Sequence, residues 1–322
     1  MDKPEIYIES KGKTYKPAVL EGVRWETYRS QPARLIFRVY NDNYSGGTGI
    51  DFNEGDRVTF KYGDKDVFSG FVFTKSRGSD QIITVTAYDR LRYFLNKDSY
   101  FYTGKSASAF IRMLAADFSV PVGDIEETGA LLSRVEDNVS LLDMVLNALD
   151  ATKNITGEEY AFYDNLGYLT LKNVKRMKLT SLICDKTAGD FYYTSSIDRD
   201  TYNKVKIMYS NKRSSREIVS VAGDEENQRK WGVLQYFKKA ADMGDYSGLS
   251  AEILKEHNRA ARSLEVKNAI GDIKARAGCL VPVSLILGDI NAEGYYRIDE
   301  ARHVFSENSH FMDLRLKGGL FE

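Results

Sequence analysis

Residues 84–97 read TVTAYDRLRYFLNK. Thr84 to Tyr88 alternate polar and apolar side chains, the two-residue period of a half-buried strand. At Asp89 the alternation stops, and Arg90, Leu91, Arg92, Tyr93 and Phe94 follow without it. Here one kind of structure hands over to another, so the segments on either side decide the fold. The mixture of arginine and aromatics itself has three readings: a nucleic-acid grip, an acid beside a base, or a joint in a scaffold.

Upstream, short alternating runs dominate. Leu35, Phe37 and Val39 share one face of RLIFRVYND, and Val58, Phe60 and Tyr62 share one of DRVTFKYGD. NDNYSGGTG and YGDKD supply turn residues that tolerate positive φ or bond their own backbone. An antiparallel barrel or sandwich follows. Downstream the period becomes helical. Phe110, Ile111, Leu114 and Phe118 form one stripe, with Ser106 or Ser108 as cap. Leu141, Leu142, Val145, Leu146 and Leu149 form a second, capped by Asn138 or Ser140. EYAFYDNLGYLTLKN then reads as a hairpin turning at Asn165, Leu166 and Gly167.

Strand pattern returns in TYNKVKIMYS, AGCLVPVSLILGD, YYRIDEARHVF and HFMDLRLKG. Between the first of these and the rest, a polar acidic loop leads to Trp231, and a helix places Leu249, Ile253, Ala260 and Leu264 in register. The expected fold is α+β, mainly β. One β-domain spans 1–103 and a helical and hairpin domain 104–195. A second β-domain combines 196–215 with 263–322, and the insertion 216–262 joins the middle domain. The order β, helical, β points to two related barrels.

The 322 residues suit two or three domains. Lys and Arg total 45 against 46 Asp and Glu, a balance that argues against general phosphate-backbone binding. The start, MDKPEIYIES, has acids and no apolar run, so no signal peptide or membrane anchor is expected, and folding in the cytosol is. No stretch approaches the ~18 apolar residues of a membrane span. Cys184 and Cys279 lack metal-ligand spacing and read as reduced, packed thiols. The 21 tyrosines suit protein interfaces.

Chemistry is sparse. His303 and His310 can face each other across a hairpin as half a zinc site, but a third ligand is missing; His257 reads as a partly buried helix histidine. Asp289, Glu293, Asp299 and Glu300 offer carboxylates without a spacing that fixes a catalytic pair. GGTGIDF lacks the lysine and helix of a phosphate cradle. RLRYF and YNKVKIMYSNKR loosely match a single-strand-binding barrel, yet lysines alternating with apolar residues are the ordinary solvated face of a strand. No catalytic, cofactor or metal residue is assigned.

Taken in order, GDRVTF, VFSGFVFTKSR, ITVTAYDRLRYFLNKDSY, YAFYDNLGYLTLKN, DRDTYNKVKI, KWGVLQYF and GYYRIDEARHVFSENSHFMDLRLKG resemble the hub proteins of contractile phage tails and phage-tail-like bacteriocins, the XkdQ-type family related to the central hub of myovirus baseplates. The resemblance covers nearly the whole chain through the succession of weak motifs. It implies two tail-tube-like domains joined by a smaller one, and a homotrimer whose six tube-like domains ring a channel. The implied partners are the hexameric tail tube, the trimeric spike, a baseplate wedge or LysM-type adaptor, and a tape-measure protein in the channel, with no membrane and no sequence-specific nucleic acid. It implies no enzymatic activity and no cofactor, and a place in the baseplate of the assembled particle. Alternatives are a peptidoglycan-degrading or carbohydrate-binding tail component, and a single-stranded nucleic-acid-binding barrel. Under the hub reading, Tyr88, Leu91, Tyr93 and Phe94 become wedge residues at a joint. Asp89 caps the turn or pairs with Arg92, and Trp231 is a further structural or interface residue.

Overall fold

The computed structural model of the chain describes residues 2–41, 49–211, 216–240, 245–287 and 290–321. The first strands are β1 (Pro4–Ser10), β2 (Lys13–Tyr15), β3 (Val23–Tyr28), β4 (Arg34–Tyr40), β5 (Arg57–Tyr62), β6 (Lys65–Arg77) and β7 (Ile82–Tyr88). A 3₁₀ turn (Arg90–Leu95) leads to β8 (Lys97–Lys105), α1 (Ala107–Asp117), β9 (Val122–Ile125), β10 (Leu132–Ser140), α2 (Leu141–Thr156), β11 (Tyr160–Asn165) and β12 (Tyr168–Asn173). After β13 (Ile183–Cys184) and β14 (Asp190–Ser196) come β15 (Lys204–Asn211), β16 (Arg216–Gly223), α3 (Glu225–Trp231), β17 (Gln235–Lys239) and α4 (Ser247–His257). The chain closes with β18 (Ala261–Ile270), β19 (Leu280–Leu287), β20 (Ile290–Ser306) and β21 (Ser309–Phe321).

The architecture is mainly β, as the alternation predicts. One 13-stranded sheet runs β14-β18-β21-β20-β3-β4-β7-β6-β5-β1-β2, with β19 and β13 branching from β20. Its two halves repeat one topology. The order β5-β6-β7-β4-β3 recurs as β19-β20-β21-β18-β14, and the registers correspond pair by pair. Arg57 opposite Phe71 matches Leu280 opposite Arg297, and Phe71 opposite Tyr88 matches Arg297 opposite Lys317. Leu35 opposite Ala87 matches Leu264 opposite Leu316, and Trp25 opposite Leu35 matches Tyr193 opposite Leu264. In each half a long strand turns from its predecessor to its successor: β6 pairs β5 and then β7, and β20 pairs β19 and then β21.

The halves are also fused. Residues 300–305 of β20 pair antiparallel with 28–23 of β3. Phe305, which belongs to the second half, is fully buried in the first half's core with Trp25, Phe37, Phe60 and Val85. Burying such a ring contributes about 2–3 kcal/mol.

Between the halves, α1 and α2 pack under the β8–β10 ribbon around Phe110, Leu114, Leu142 and Val145. Ser106 caps α1 and Ser140 caps α2, each accepting from the amide three residues on, which stabilises each helix by about 1 kcal/mol. The β11–β12 hairpin turns through Leu166 and Gly167 with φ of 54° and 95°, both positive as a two-residue turn requires.

Two expectations are corrected. The strand at 204–211 is not part of the second large-sheet unit; it pairs β16 and β17 in a separate three-stranded sheet, and β14 takes the place assigned to it. Alternation shows which face of a strand is buried but not which sheet it joins, and DFYYTSS is too polar to read as a strand. The interruption therefore runs from 197 to 260. The late helix ends at His257, and Leu264 is buried as a residue of β18. Asp289 and the first three residues of GGTGIDF lie outside the described residues, as does most of NDNYSGGTG.

Candidate functional site

The site to examine is the joint that TVTAYDRLRYFLNK forms. Strand β7 ends because Asp89 turns its side chain onto backbone: Oδ1 accepts from Leu91 N at 3.0 Å and Oδ2 from Ala33 N at 3.1 Å. Both acceptors are thus occupied by amides. Arg92 makes no side-chain ion pair with Asp89 among the described residues; its guanidinium lies 5.2 Å from the centre of the Phe73 ring.

The turn divides its side chains between two faces. Leu91 and Phe94 are buried in the helical core, where Phe94 meets Phe162 at 5.8 Å. Tyr93, 36% exposed, lies outside against Phe71 and Phe73 at 5.9 and 5.8 Å. Tyr88 reaches Phe73 edge-on at 5.5 Å, and Arg90 covers Phe71 at 5.2 Å. Of the expected wedge residues, Leu91 and Phe94 enter the core, while Tyr88 and Tyr93 stay on the sheet's outer face, where Arg92 joins them in an aromatic and cationic rack.

Behind the joint three segments meet. Asp164, in the β11–β12 hairpin, accepts from Gly167 N at 2.6 Å and from Arg90 N at 3.3 Å. Arg276, from the loop before β19, donates to the Asp164 carbonyl at 3.0 Å and stacks 3.7 Å from the Tyr163 ring centre. Burial, and then the charge of Asp164, pushes the Asp89 carboxyl well above the usual range. Burial likewise raises Asp164, against the pull of the Gly167 and Arg90 amides, and lowers Arg276. Burial thus presses all three groups toward their neutral forms, because charge in a place of low dielectric is costly to leave unpaired.

A second cluster ties the remaining elements. Glu159 accepts from Arg29 and Arg297, both at 2.5 Å, with Lys153 at 3.5 Å. Lys153 also reaches Glu256 of α4 at 2.6 Å, and Arg297 reaches Asp299 at 2.8 Å. Burial opposes the ionised form of Glu159, but the surrounding cations win and its carboxyl is held low. Glu300 pairs with Arg315 at 2.9 Å. Asp299 and Glu300 are thus engaged with arginines, an arrangement suited to cohesion.

His303 and His310 do face each other, with Nδ1 and Nε2 2.9 Å apart. His303 Nε2 donates to the Ala275 carbonyl at 2.7 Å, and its ring stacks on Trp25 at 5.0 Å. The pair is an internal hydrogen-bonded stack, and no metal-ligating group of three occurs among the described residues. His257 Nδ1 lies 2.9 Å from the Asp200 carbonyl oxygen. Trp231 closes α3 beneath Lys230, 5.7 Å from its ring centre, and belongs to the insertion rather than to the joint. Sequence reasoning missed Glu26, Asp164, Glu159, Arg276 and Arg297. Only Asp164, in the turn DNLG, carried a local signal.

Comparison with known proteins accords with this geometry. The family profile described as YqbQ-like matches residues 23–317. Protein YqbQ of Bacillus subtilis (strain 168) is 30% identical over 302 residues, covering 92% of this chain and 89% of its own. The phage-like element PBSX protein XkdQ of the same strain is 28% identical, covering 92% and 90%. Among solved structures, the 43 kDa tail protein of prophage MuSo2 from Shewanella oneidensis aligns over 97% of this chain and 98% of its own, with a TM-score of 0.69 at 12% identity. The match spans both halves of the fused sheet and the helical segment between them: this chain belongs to the YqbQ-like family.

Proposed function

We propose that the chain is the hub of a contractile-tail baseplate, a structural protein that adapts a sixfold tube to a threefold spike. The observation that carries this reading is the register-matched repeat of the two half-sheets. A chain that supplies two equivalent wall segments makes six from three copies, and only closed point symmetry lets such a set end without free copies. In this reading the tube-like units are the two half-sheets, residues 90–173 form the small joining domain, and 197–260 the insertion. Its tail-particle setting is supported by similarity to a protein of a phage-like element and by the fold shared with a prophage tail protein.

The outer face of the shared sheet fits a channel wall. Four of its cations are held by carboxylates, Arg315 by Glu300 and Glu265, Arg302 and Arg34 by Glu26, and Lys267 by Asp313, while Arg90 and Arg92 lie over the Phe71 and Phe73 rings. A polyanion or an unfolded tape protein passing such a wall meets little net attraction, and transit is not slowed by capture. Tube, spike, wedge or adaptor, and tape protein are the partners this role requires, and the chain performs it by shape, without catalysis.

The test is reconstitution with spike and tube proteins followed by electron-microscopic class averaging. Threefold rings with a central pore are expected. Lysis of peptidoglycan in a zymogram, or tight salt-dependent binding of single-stranded DNA, would instead favour the enzymatic or the nucleic-acid alternative.

A further inference from the structure

The fused sheet shows how two equivalent units join, and it leaves the same join open elsewhere. Within the chain, the second unit's long strand β20 uses one edge for β19 and then, along residues 300–305, for β3 of the first unit. The first unit's long strand β6 pairs β5 and β7, but the position equivalent to the β3 partnership is taken by no strand among the described residues. Conversely β14, the second unit's equivalent of β3, ends the sheet with one edge paired to β18 and the other paired to no strand among the described residues. The chain carries one made joint and the two halves of an unmade one.

We infer that β14 of one copy pairs antiparallel with the 74–77 end of β6 in a neighbouring copy, repeating the β3–β20 contact between chains. The register follows from the matched halves. Arg297 corresponds to Phe71 and Trp25 to Tyr193, so Glu300 opposite Tyr28 becomes Thr74 opposite Ser196, and Arg302 opposite Glu26 becomes Ser76 opposite Thr194.

The chemistry of the two sheet ends supports this assignment independently. Soluble proteins guard exposed edges with short strands, lysines and prolines. The β2 end is guarded: it is three residues long, contains Lys13 and lies between Lys11 and Lys16. The β14 end, DFYYTSS, is seven residues long and has no lysine, arginine or proline, and its Tyr192 is 71% exposed. Its alternate amides and carbonyls point at an open edge; on the predicted ladder Thr74 and Ser76 meet Ser196 and Thr194, while Lys75 and Arg77 of β6, opposite Ser195 and Tyr193, already donate to the Phe52 and Asn41 carbonyls. The contact is head to tail, so it closes a ring when the rotation allows.

The inference rests on the ring reading above, and the test separates the two. In a Cys184→Ser background, with Cys279 buried, the double variant Ser76→Cys/Thr194→Cys is oxidised with copper phenanthroline in air at concentrations where sedimentation shows oligomers. Opposed residues of a ladder lie within disulfide reach, so covalently closed trimers are expected. Each single variant, and the one-residue slip Ser76→Cys/Ser195→Cys, which puts the thiols on opposite faces, should stay unlinked. Thr194→Lys should weaken association at least tenfold while its melting temperature, compared at a dilution where both chains are monomeric, stays that of the unmodified chain. Trimers that form without linking overturn this contact and leave the ring standing; a chain that neither associates nor links, alone or with the spike and tube proteins, overturns both.

Discussion

Glu26 of β3 and Arg302 of β20 sit opposite each other across the seam between the two half-sheets, with Oε1 and Nε 2.9 Å apart. The Glu26 side chain is only 2% exposed. It also accepts from Arg34, and from the Tyr28 hydroxyl at 2.7 Å. Burial works against its charge, but these bonds win and hold its carboxyl low, while burial and then Glu26 push Tyr28 up to about 12.

Glu26→Gln should therefore loosen the seam. Its arginines are part-exposed and can turn to water, so the expected cost is about 1–3 kcal/mol rather than the larger loss of a fully buried pair. Urea unfolding should show a lower midpoint, and an unchanged midpoint would mean that the seam charge contributes nothing.

Phe94 and Tyr93 are neighbours in sequence with opposite surroundings. Phe94→Ala opens a cavity in the helical core and should cost about 3–5 kcal/mol. Tyr93→Ala removes edge contacts with Phe71 and Phe73 and should cost about 1 kcal/mol, leaving the fold intact. Equal losses in thermal unfolding would contradict this division.

Asp89 has its carboxyl raised by burial and by Asp164. Its contribution to stability is thus fully present below the unfolded value near 4 and is lost as pH rises through the folded value. Asp89→Asn removes the charge and keeps one acceptor, so its melting temperature relative to the native chain should improve as pH rises. Asp89→Leu loses both acceptors and should be destabilised by about 2 kcal/mol or more at every pH. A difference between Asn variant and native chain that does not change with pH would exclude charge burial as the cause.

The histidine pair predicts the opposite slope. Burial, and then His310, lowers His303 to about 3, while burial lowers His310 to about 4 despite Asp272. Stability from neutral imidazoles is complete above about 6.5 and drains away as pH falls toward those values. His303→Phe should be less stable at neutral pH, because the Ala275 carbonyl loses its donor, yet show a flatter decline between pH 6.5 and 4. A parallel decline would assign acid sensitivity elsewhere.

The sequence made some of this legible and hid the rest for physical reasons. Alternation exposes strands whose two faces differ, so β4, β5, β15 and β21 were readable, as were the helical stripes with caps at Ser106 and Ser140. A strand such as β14, destined for neighbours on both edges and little buried on either face, has no period to read. Lys204 to Ser210 read correctly as a strand but joined a different sheet, because partner choice depends on contacts far apart in sequence. The joint was legible at Asp89, whose capping chemistry is local. Arg276 and Glu159 were not, since Arg276 meets Asp164, and Glu159 meets Arg29 and Arg297, across more than a hundred residues.

The central claim is that each chain carries two equivalent wall segments. A cryo-electron-microscopy reconstruction of the assembled ring tests it most directly. The account predicts six wall segments related by a near-sixfold rotation at the tube-facing end, of which three arise from β3–β7 and three from β14 with β18–β21. A ring in which only one half of each chain faces the channel, or in which the halves lie at unrelated radii, would contradict it.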